Sequence, residues 1–467
     1  MSLKETVEKV SENHYVLPRV GAMKVEAHAF LSEPLFQASE DGVWEQIAAG
    51  ASYEGVIGAY LMPDTHVGYG VPVGSVILTE DTIIQGGSGY DISCGVLYMA
   101  CNLTAASVRS KYERQRWVKE VERRIATGKG HHRPELMPTF DKSKVDDILH
   151  YGAKALGVST NLCERQYIPV AEGTDVAKID KAYKSVAVQL GSVGGGNHFV
   201  EMQCDERTGR VFVMVHCGSR GYGWQTANHY FYEGARLRGL PSNRREDSWL
   251  RVDEPLGKEY WAHHNSAANF AIANRHIIVS GIREATREVF GADVDVYYEI
   301  SHNLVQEETL LLPNGTTKRG FVHRKGATRA FPAGHPDLKG SLWEETGHPC
   351  LIPGSMYDGA AILFADKNAK LSACSVNHGS GRLLARGKAK RQLEHKQERI
   401  DEEMATVTRT FHGVQIEGIV SNHRHIPLDE CAHVYKDLDA VLGVLEREGI
   451  ARVAHRLYPV ANLKGVD

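Results

Sequence analysis

Apolar residues in this chain gather in short dense runs more than in alternating stretches. Val73–Leu78, Val96–Cys101, Val211–Val215 and Val294–Ile300 are such runs. Each reads as a buried strand, because continuous apolar character without a polar face is what burial on both sides requires. The third and fourth lead directly into His216 and His302. Longer segments predict helices over 107–125, 262–289, 382–408 and 435–449. The 382–408 helix is heavily charged, basic early (Arg382, Arg386, Lys388, Lys390, Arg391) and acidic late (Glu398, Asp401, Glu402, Glu403). Segment 127–150, with Gly128, Gly130, Pro134 and Pro138, reads as a flexible loop or small insertion. Strands and helices do not alternate regularly, which favours an α+β fold over repeated βαβ units. No low-complexity linker or internal repeat divides the sequence, so residues 1–467 read as a single large mixed α/β domain.

Composition narrows the class without choosing a function. Of 467 residues, 42% are hydrophobic and 24% charged, as in ordinary globular proteins. The formal net charge of −4 argues against a uniformly basic nucleic-acid coat, though not against a local basic face. Eight cysteines form no CxxC pair, which suits a reducing compartment. The polar start Met-Ser-Leu-Lys-Glu-Thr lacks an apolar signal core, and no run approaches a membrane span. The expectation is a cytoplasmic protein.

The candidate chemistry is a set of metal ligands on glycine-rich loops. Gly86-Gly87-Ser88-Gly89-Tyr90-Asp91-Ile92-Ser93-Cys94-Gly95 puts a carboxylate and a thiol three residues apart. His198, His216 and His302 each sit beside Gly, Asn or Ser: Gly196-Asn197-His198, His216-Cys217-Gly218-Ser219 and Ser301-His302-Asn303. Alone, Cys94 reads as a small buried residue, and His198 as a satisfied structural histidine. Together, Asp91, Cys94, His198, His216 and His302 are donors for borderline-soft divalent metals. Because a thiolate can bridge, five such donors could hold two ions. Ligands drawn from such distant segments imply a central metal-bearing cleft. Asp64 and His66 lie in Met62-Pro63-Asp64-Thr65-His66, where Asp64 reads either as a turn cap or as a carboxylate facing substrate or supporting a ligand.

Three further segments pair a base with exposed backbone amides: His216-Cys217-Gly218-Ser219-Arg220, His323-Arg324-Lys325-Gly326 and His378-Gly379-Ser380-Gly381-Arg382. Glycine lets N–H groups approach an anion, and arginine binds phosphate in a fork. No Walker A sequence is present, which excludes a P-loop enzyme. His378 lies outside the five-donor set. From its chemistry it could be a nucleophile that carries a phosphoryl or nucleotidyl group, a sixth metal ligand or a hydrogen-bonding residue.

Taken in order, the motifs MPDTHVGYGVPVG, GGSGYDISCGV, GGGNHFVE, HCGSRGYG, ANFAIANR, SHNLVQEE, VHRKGATRAF, LIPGSM, NHGSGR and the ending YKDLDAV…YPVANLKG resemble the RtcB family of RNA-splicing ligases. They run from residue 62 to 465. The resemblance implies a GTP- and Mn²⁺-dependent RNA ligase that joins 2′,3′-cyclic-phosphate or 3′-phosphate ends to 5′-hydroxyl ends. It implies that Cys94 bridges two manganese ions, with His216 and His302 completing one and Asp91 and His198 the other. It makes His378 the histidine that becomes guanylylated. Asn197, Phe199, Glu201, Ser355, Gly379, Ser380, Gly381, Tyr435 and Lys464 fall at guanylate-pocket positions. Asp64, Arg220, Lys325 and Arg386 fall at positions serving the reaction or the phosphates. RNA ends are the implied partners, with an archease-type activator among the family's associates.

The chain departs from the commoner family pattern at Ser88 and Ser93 (more usually Val and Asn), Cys217 (Ser or Thr) and Ser380 (Ala), and Tyr357-Asp358-Gly359 follows PGSM where Gly-Thr-Ala is frequent. No departure removes an implied ligand. Rival readings are a metal-dependent phosphoesterase or end-capping enzyme acting on 3′-phosphates, and a catalytically silent RNA-binding or chaperone protein. The first would need the metal donors but not His378, Tyr435 or Lys464. The second predicts lost ligands.

Overall fold

The computed structural model describes residues 2–128, 134–136, 138–158, 168–311 and 316–465. Two large sheets carry the molecule, a mixed α/β architecture as expected. The first runs in the order Glu8–Lys9, His14–Leu17, Ala27–Phe30, Val56–His66, Val73–Thr79, Thr317–Lys325, Asn303–Leu311. The second runs Val294–Ser301, Gly95–Thr104, Arg210–Cys217, Phe199–Asp205, Ala451–Lys464, Ala360–Ala365, Pro349–Pro353, with Val420–Ser421 parallel beside Ala451–Lys464. All four apolar runs named above are strands in these sheets, one or more residues longer than the runs themselves.

The apolar runs are continuous because their alternate residues feed different cores. Along Gly95–Thr104, Leu97, Met99 and Cys101 pack with Trp117 and Val121 of the helix Lys111–Arg124 and with Ile278 and Ile282 of the helix Pro255–Phe290. Val96 and Tyr98 face the other way, toward Met214, Ile300 and Ile362. The first sheet is covered by Trp44 and Ile47 of Asp41–Gly50 and by Leu442 and Leu445 of Leu438–Arg447. Each buried Leu or Ile contributes roughly 1.5–3 kcal/mol, so two-sided burial makes these strands rigid carriers for the loops at their ends.

The helices differ from expectation at their ends. The long helix starts at Pro255, not 262, because a proline at the first helical position gives up an N–H that would be unbonded anyway. It stops at Gly291, which adopts φ 63°. The predicted 382–408 helix is divided into Arg386–Leu393, a 3₁₀ turn Glu394–Lys396 and Gln397–Thr406. Its first residues are drawn off because Arg382 bonds the Leu384 and Asp429 carbonyls instead of a helical turn. Leu438–Arg447 is capped by the Asp437 side chain, which accepts from the Ala440 N–H. The expected loop over 127–150 is partly helical. Lys142–Tyr151 is a helix capped by Asp141, while 129–133 and 137 lie outside the described residues. Among the described residues no helix is long and apolar enough to cross a membrane.

Register in the second sheet assembles the site. Gly95 pairs with both Cys217 and Ser301. Phe199 pairs with both His216 and Lys464. Antiparallel pairing therefore brings Cys94, His198, His216, His302 and Lys464 to one end of the sheet. His302 is the crossing point, leaving Ser301 on the second sheet and entering Asn303 on the first. On the first sheet Asn303 pairs with Lys325. A two-stranded ribbon pairs Ala327 with Asn377 and delivers His378 to the same place.

Candidate active site

Two donor triads share one sulfur. Cys94, His216 and His302 form the first and Asp91, Cys94 and His198 the second, with the donor atoms of each within 4.8 Å of one another. Cys94 Sγ lies 3.3 Å from His216 Nε2 and 3.4 Å from His198 Nε2. His216 Nε2 is 3.2 Å from His302 Nε2, and His198 Nε2 is 3.0 Å from Asp91 Oδ2. In two of the three histidines the other ring nitrogen is committed: His216 Nδ1 donates to the Asn197 carbonyl (3.0 Å) and His198 Nδ1 to the Val193 carbonyl (3.1 Å). A carbonyl only accepts, so Nδ1 holds the proton and Nε2 is aimed at the cluster, as a metal-ligating histidine is held. Thiol, imidazole and carboxylate together fit borderline divalent ions. Burial, with Asp91 alongside, pushes the Cys94 thiol up to about 12. Such a buried thiol ionises only against a nearby cation.

The Asp91–Cys94 bend is strained and over-determined. Ser93 adopts φ 60°, which side chains rarely occupy. Its N–H donates to Asn303 O (2.6 Å), and its hydroxyl meets that of Ser301 (2.7 Å). Arg275 lies beneath. Its guanidinium donates to the Ser93 and Cys217 carbonyls, both at 2.7 Å, and pairs with Glu299 through Nε at 2.6 Å. One buried guanidinium thus ties together the segments bearing Cys94, His216 and His302. Gly218 is required next door, since a Cβ there would stand 2.2 Å from Asp91 Oδ1. The unusual Cys217 donates its thiol to Val193 O at 3.0 Å, sharing that acceptor with His198.

His378 stands beside this cluster, its ring centroid 5.1 Å from that of His302. Its Nδ1 is 2.6 Å from Asp64 Oδ2. The same oxygen accepts from the His378 and Gly379 backbone N–H groups at 3.1 and 3.2 Å. An oxygen that accepts from two amides also accepts from Nδ1, which leaves Nε2 with the lone pair. Asp64 is fully buried. Lys436, buried beneath, donates to Thr65 O at 2.7 Å. Gly326 leaves room for the imidazole: at φ 62°, a Cβ would sit 3.0 Å from two of its ring atoms.

A cavity of about 360 Å³ joins His378, Cys94, His216 and His302 to most of the remaining expected residues, while Asp64, Asp91, His198 and Arg220 lie outside its lining. At one end Tyr435, Glu430, Arg382 and Lys464 interlock. Glu430 accepts from Tyr435 Oη (2.6 Å) and pairs with Lys464 (2.9 Å) and Arg386 (3.1 Å). Burial opposes its charge, yet Lys464 and Arg386 outweigh that and hold its carboxyl at about 2. Asn197 and Phe199 line the same cavity, as do Gly379, Ser380 and Gly381. Ser380 Oγ is buried with no hydrogen-bond partner among the described residues. Glu201 accepts from Gln203 Nε2 (2.5 Å) and Asn462 Nδ2 (2.8 Å), and burial pushes its carboxyl up to about 7. Ser355 reaches the cavity wall, but its hydroxyl donates to Asp358 at 2.8 Å.

Lys325 also lines the cavity, donating to the Val71 carbonyl at 3.0 Å, and burial lowers it to about 7. Arg220 opens the helix Arg220–Leu237 and donates to Gly128 O at 2.8 Å, outside the cavity lining but beside the Gly194 loop that approaches His198.

Sequence reading gave no role to Arg275, Glu430, Lys436 or Asn462, and took Arg382 only as part of an anion-binding segment. For Arg275 a signal existed: a charge amid the apolar helical stretch around residues 267–279 must be paired when buried. The same holds for Glu299 within an apolar strand. Glu430 sits in a turn with no motif around it.

A family model described as tRNA-splicing ligase RtcB matches residues 46–465. The chain is 33% identical to the tRNA-splicing ligase RtcB of Thermococcus kodakarensis over 98% of this chain and 99% of that protein. It is 35% identical to the protein of the same name from Pyrobaculum aerophilum, covering 87% of each. It is 32% identical to the RNA-splicing ligase RtcB of Mycobacterium tuberculosis, over 90% of this chain and all of that protein.

Proposed function

The chain belongs to the RtcB family of RNA ligases, and from that premise we propose that it joins RNA 2′,3′-cyclic-phosphate or 3′-phosphate ends to 5′-hydroxyl ends through a guanylate carried on His378. The observation that carries this reading is one imidazole whose Nδ1 is fixed by Asp64 at 2.6 Å and whose Nε2 keeps its lone pair in the cavity that the Cys94, His216 and His302 donors also line. A phosphate monoester is a poor electrophile, so a 3′-phosphate needs activation before a hydroxyl can join it. A nucleotidyl-carrying histidine supplies that activation.

His378 Nε2 attacks the α-phosphorus of GTP. The bond to the bridging oxygen breaks and pyrophosphate leaves. Asp64 keeps the Nδ1 proton in place and stabilises the charge that develops on the ring, as an orienting carboxylate does. Arg386 and Arg220 offer cationic donors to the phosphates, and Lys325, lowered to about 7 by burial, joins them when protonated. The 3′-phosphate of the RNA then displaces His378 and takes up GMP. The 5′-hydroxyl attacks the activated phosphorus, its proton is lost and GMP leaves. Cys94 with His216 and His302, and Cys94 with Asp91 and His198, would hold two Mn²⁺ ions, which supply Lewis acidity toward phosphoryl oxygens.

Tyr435, Arg382, Glu430 and Lys464 would receive the guanylate, with Tyr435 offering a ring for the base. Glu201, when ionised, would accept from guanine N1–H and its exocyclic amine.

His378→Ala tests the reading. It should lose the acid-labile, alkali-stable GMP adduct formed from α-labelled GTP, keep its manganese, and still seal RNA supplied already carrying GMP on its 3′-phosphate. An adduct that persists places the nucleophile elsewhere. Lost manganese moves His378 into the metal shell. A protein that opens or removes terminal phosphates without forming any adduct is the phosphoesterase.

A further inference from the structure

Aromatic surface that the chemistry above does not use begins at the cleft lining with Tyr69 and Tyr90 and continues outward to Trp224. Tyr69 is 70% exposed and Trp224 44%. Both touch Tyr90. Trp224 stacks on it with centroids 5.6 Å apart and planes at 21°, and Tyr69 meets it edge-on at 6.3 Å. Phe231 packs edge-on against Tyr90 at 4.9 Å, and the Tyr90 hydroxyl is fixed between Glu246 and Arg245. The outer rings are therefore braced by a rigid one.

Their attachment is to the reacting centre. Tyr90 directly precedes the donor Asp91. Trp224 lies in the first turns of the helix Arg220–Leu237, which follows His216 through a short loop. The Tyr69 carbonyl accepts from Lys325 Nζ. A cationic group adjoins Tyr90, whose hydroxyl accepts from Arg245, and Lys325 reaches the backbone of Tyr69. Arg245 also sits 4.9 Å over Tyr232, itself 46% exposed. Flat exposed rings interleaved with cations are how single-stranded nucleic acids are held, bases on the rings and phosphates on the charges.

We propose that Trp224 and Tyr69, braced by Tyr90, form a stacking platform for the first unpaired nucleobase of the 5′-hydroxyl RNA strand. This rests on the ligase reading above. The choice of strand follows from in-line displacement: the attacking hydroxyl enters opposite the departing GMP. The Arg382–Tyr435–Glu430–Lys464 cluster reaches the Gly196 loop, with Lys464 Nζ 3.4 Å from its carbonyl. Tyr69 meets Lys325 through its carbonyl, and Trp224 stacks on Tyr90, the residue before Asp91. The entering strand therefore runs over the aromatic wall.

The test compares the full-length protein with its Trp224→Ala, Trp224→Phe and Tyr69→Ala variants. Affinity is measured by fluorescence anisotropy at one fixed salt concentration. The ligands are a labelled single-stranded 5′-hydroxyl RNA, the same RNA with an abasic first nucleotide, and a 3′-phosphate RNA with an abasic last nucleotide. Formation of the GMP adduct needs no RNA and reports that each variant is folded.

Trp224→Ala should weaken binding of the intact 5′-hydroxyl RNA roughly 5- to 150-fold, the range for one lost base stack, and Trp224→Phe should restore most of it. The abasic first nucleotide should cost the unmodified protein a similar factor and cost Trp224→Ala little more. Unchanged affinity in both alanine variants overturns the platform, as does an abasic penalty that persists undiminished in Trp224→Ala. Coupling of Trp224 to the last nucleotide of the 3′-phosphate strand overturns the strand assignment. Absence of any adduct or joining by the unmodified protein defeats the ligase reading instead, and the abasic comparison still decides whether the rings stack a base.

Discussion

Arg275→Met should unfold part of the metal cluster from beneath. Arg275 and Glu299 are almost completely buried, with 0% and 1% of their side chains exposed. Removing the guanidinium takes the cation of a buried ion pair away from the Glu299 carboxylate, which costs roughly 3–5 kcal/mol. It also strips the donor from the Ser93 and Cys217 carbonyls, now bonded at 2.7 Å each, at about 1–3 kcal/mol apiece. These costs overlap because the groups are neighbours, so the sum is an upper bound. The urea midpoint should fall sharply.

Arg275→Met combined with Glu299→Leu separates two roles. Replacing a buried ion pair with apolar residues of similar volume is often neutral, so the double variant should regain most of the stability. It should not regain metal affinity. Ser93 at φ 60° would lose its support from Arg275, and loss of an outer support of this kind typically costs about 10- to 100-fold in metal binding. Denaturation by urea and calorimetric titration with Mn²⁺ read the two effects apart. A double variant that binds two ions as tightly as the parent would refute the positioning role and leave Arg275 as a charge partner only.

Cys94→Ala should abolish tight binding of both ions, because one sulfur belongs to both triads, and elemental analysis that still finds two Mn²⁺ per chain would defeat the bridging assignment. Cys94→Ser should be nearly as severe, since a hydroxyl poorly replaces an anionic sulfur. Gly218→Ala should displace the Asp91 carboxylate, because its Cβ would lie 2.2 Å from Oδ1, and metal content should drop without global unfolding by circular dichroism. Glu201 should make guanine selection depend on pH. Burial, opposed by Gln203 and Asn462, raises its carboxyl to about 7, so the ionised form that accepts from guanine grows in as pH rises through that value. GTP labelling relative to ATP should therefore increase between pH 6 and 8 and flatten in Glu201→Gln. For stability the sign is opposite: a carboxyl raised in the folded state loses stability as pH rises from its unfolded value near 4.5 to about 7.

The sequence by itself carried the strands, the donor types and the motif order. A run such as Val96–Cys101 is apolar at every step because its alternate residues enter two cores, and that pattern needs no coordinates to read. Aspartate, cysteine and histidines on glycine-rich loops likewise announce their chemistry locally. What tertiary structure decided was which of these meet. Antiparallel register set His216 against Phe199 and Phe199 against Lys464, and a one-residue slip would have turned every side chain to the other face. Helix ends moved because capping is settled by single contacts: Pro255 extended one helix, and the bonds of Arg382 shortened another. Glu430 had no local sign at all, since its role comes from Lys464, Arg386 and Tyr435 arriving from other elements. Such a carboxylate is tolerable in a buried pocket only when those partners surround it, and only the folded chain brings them there.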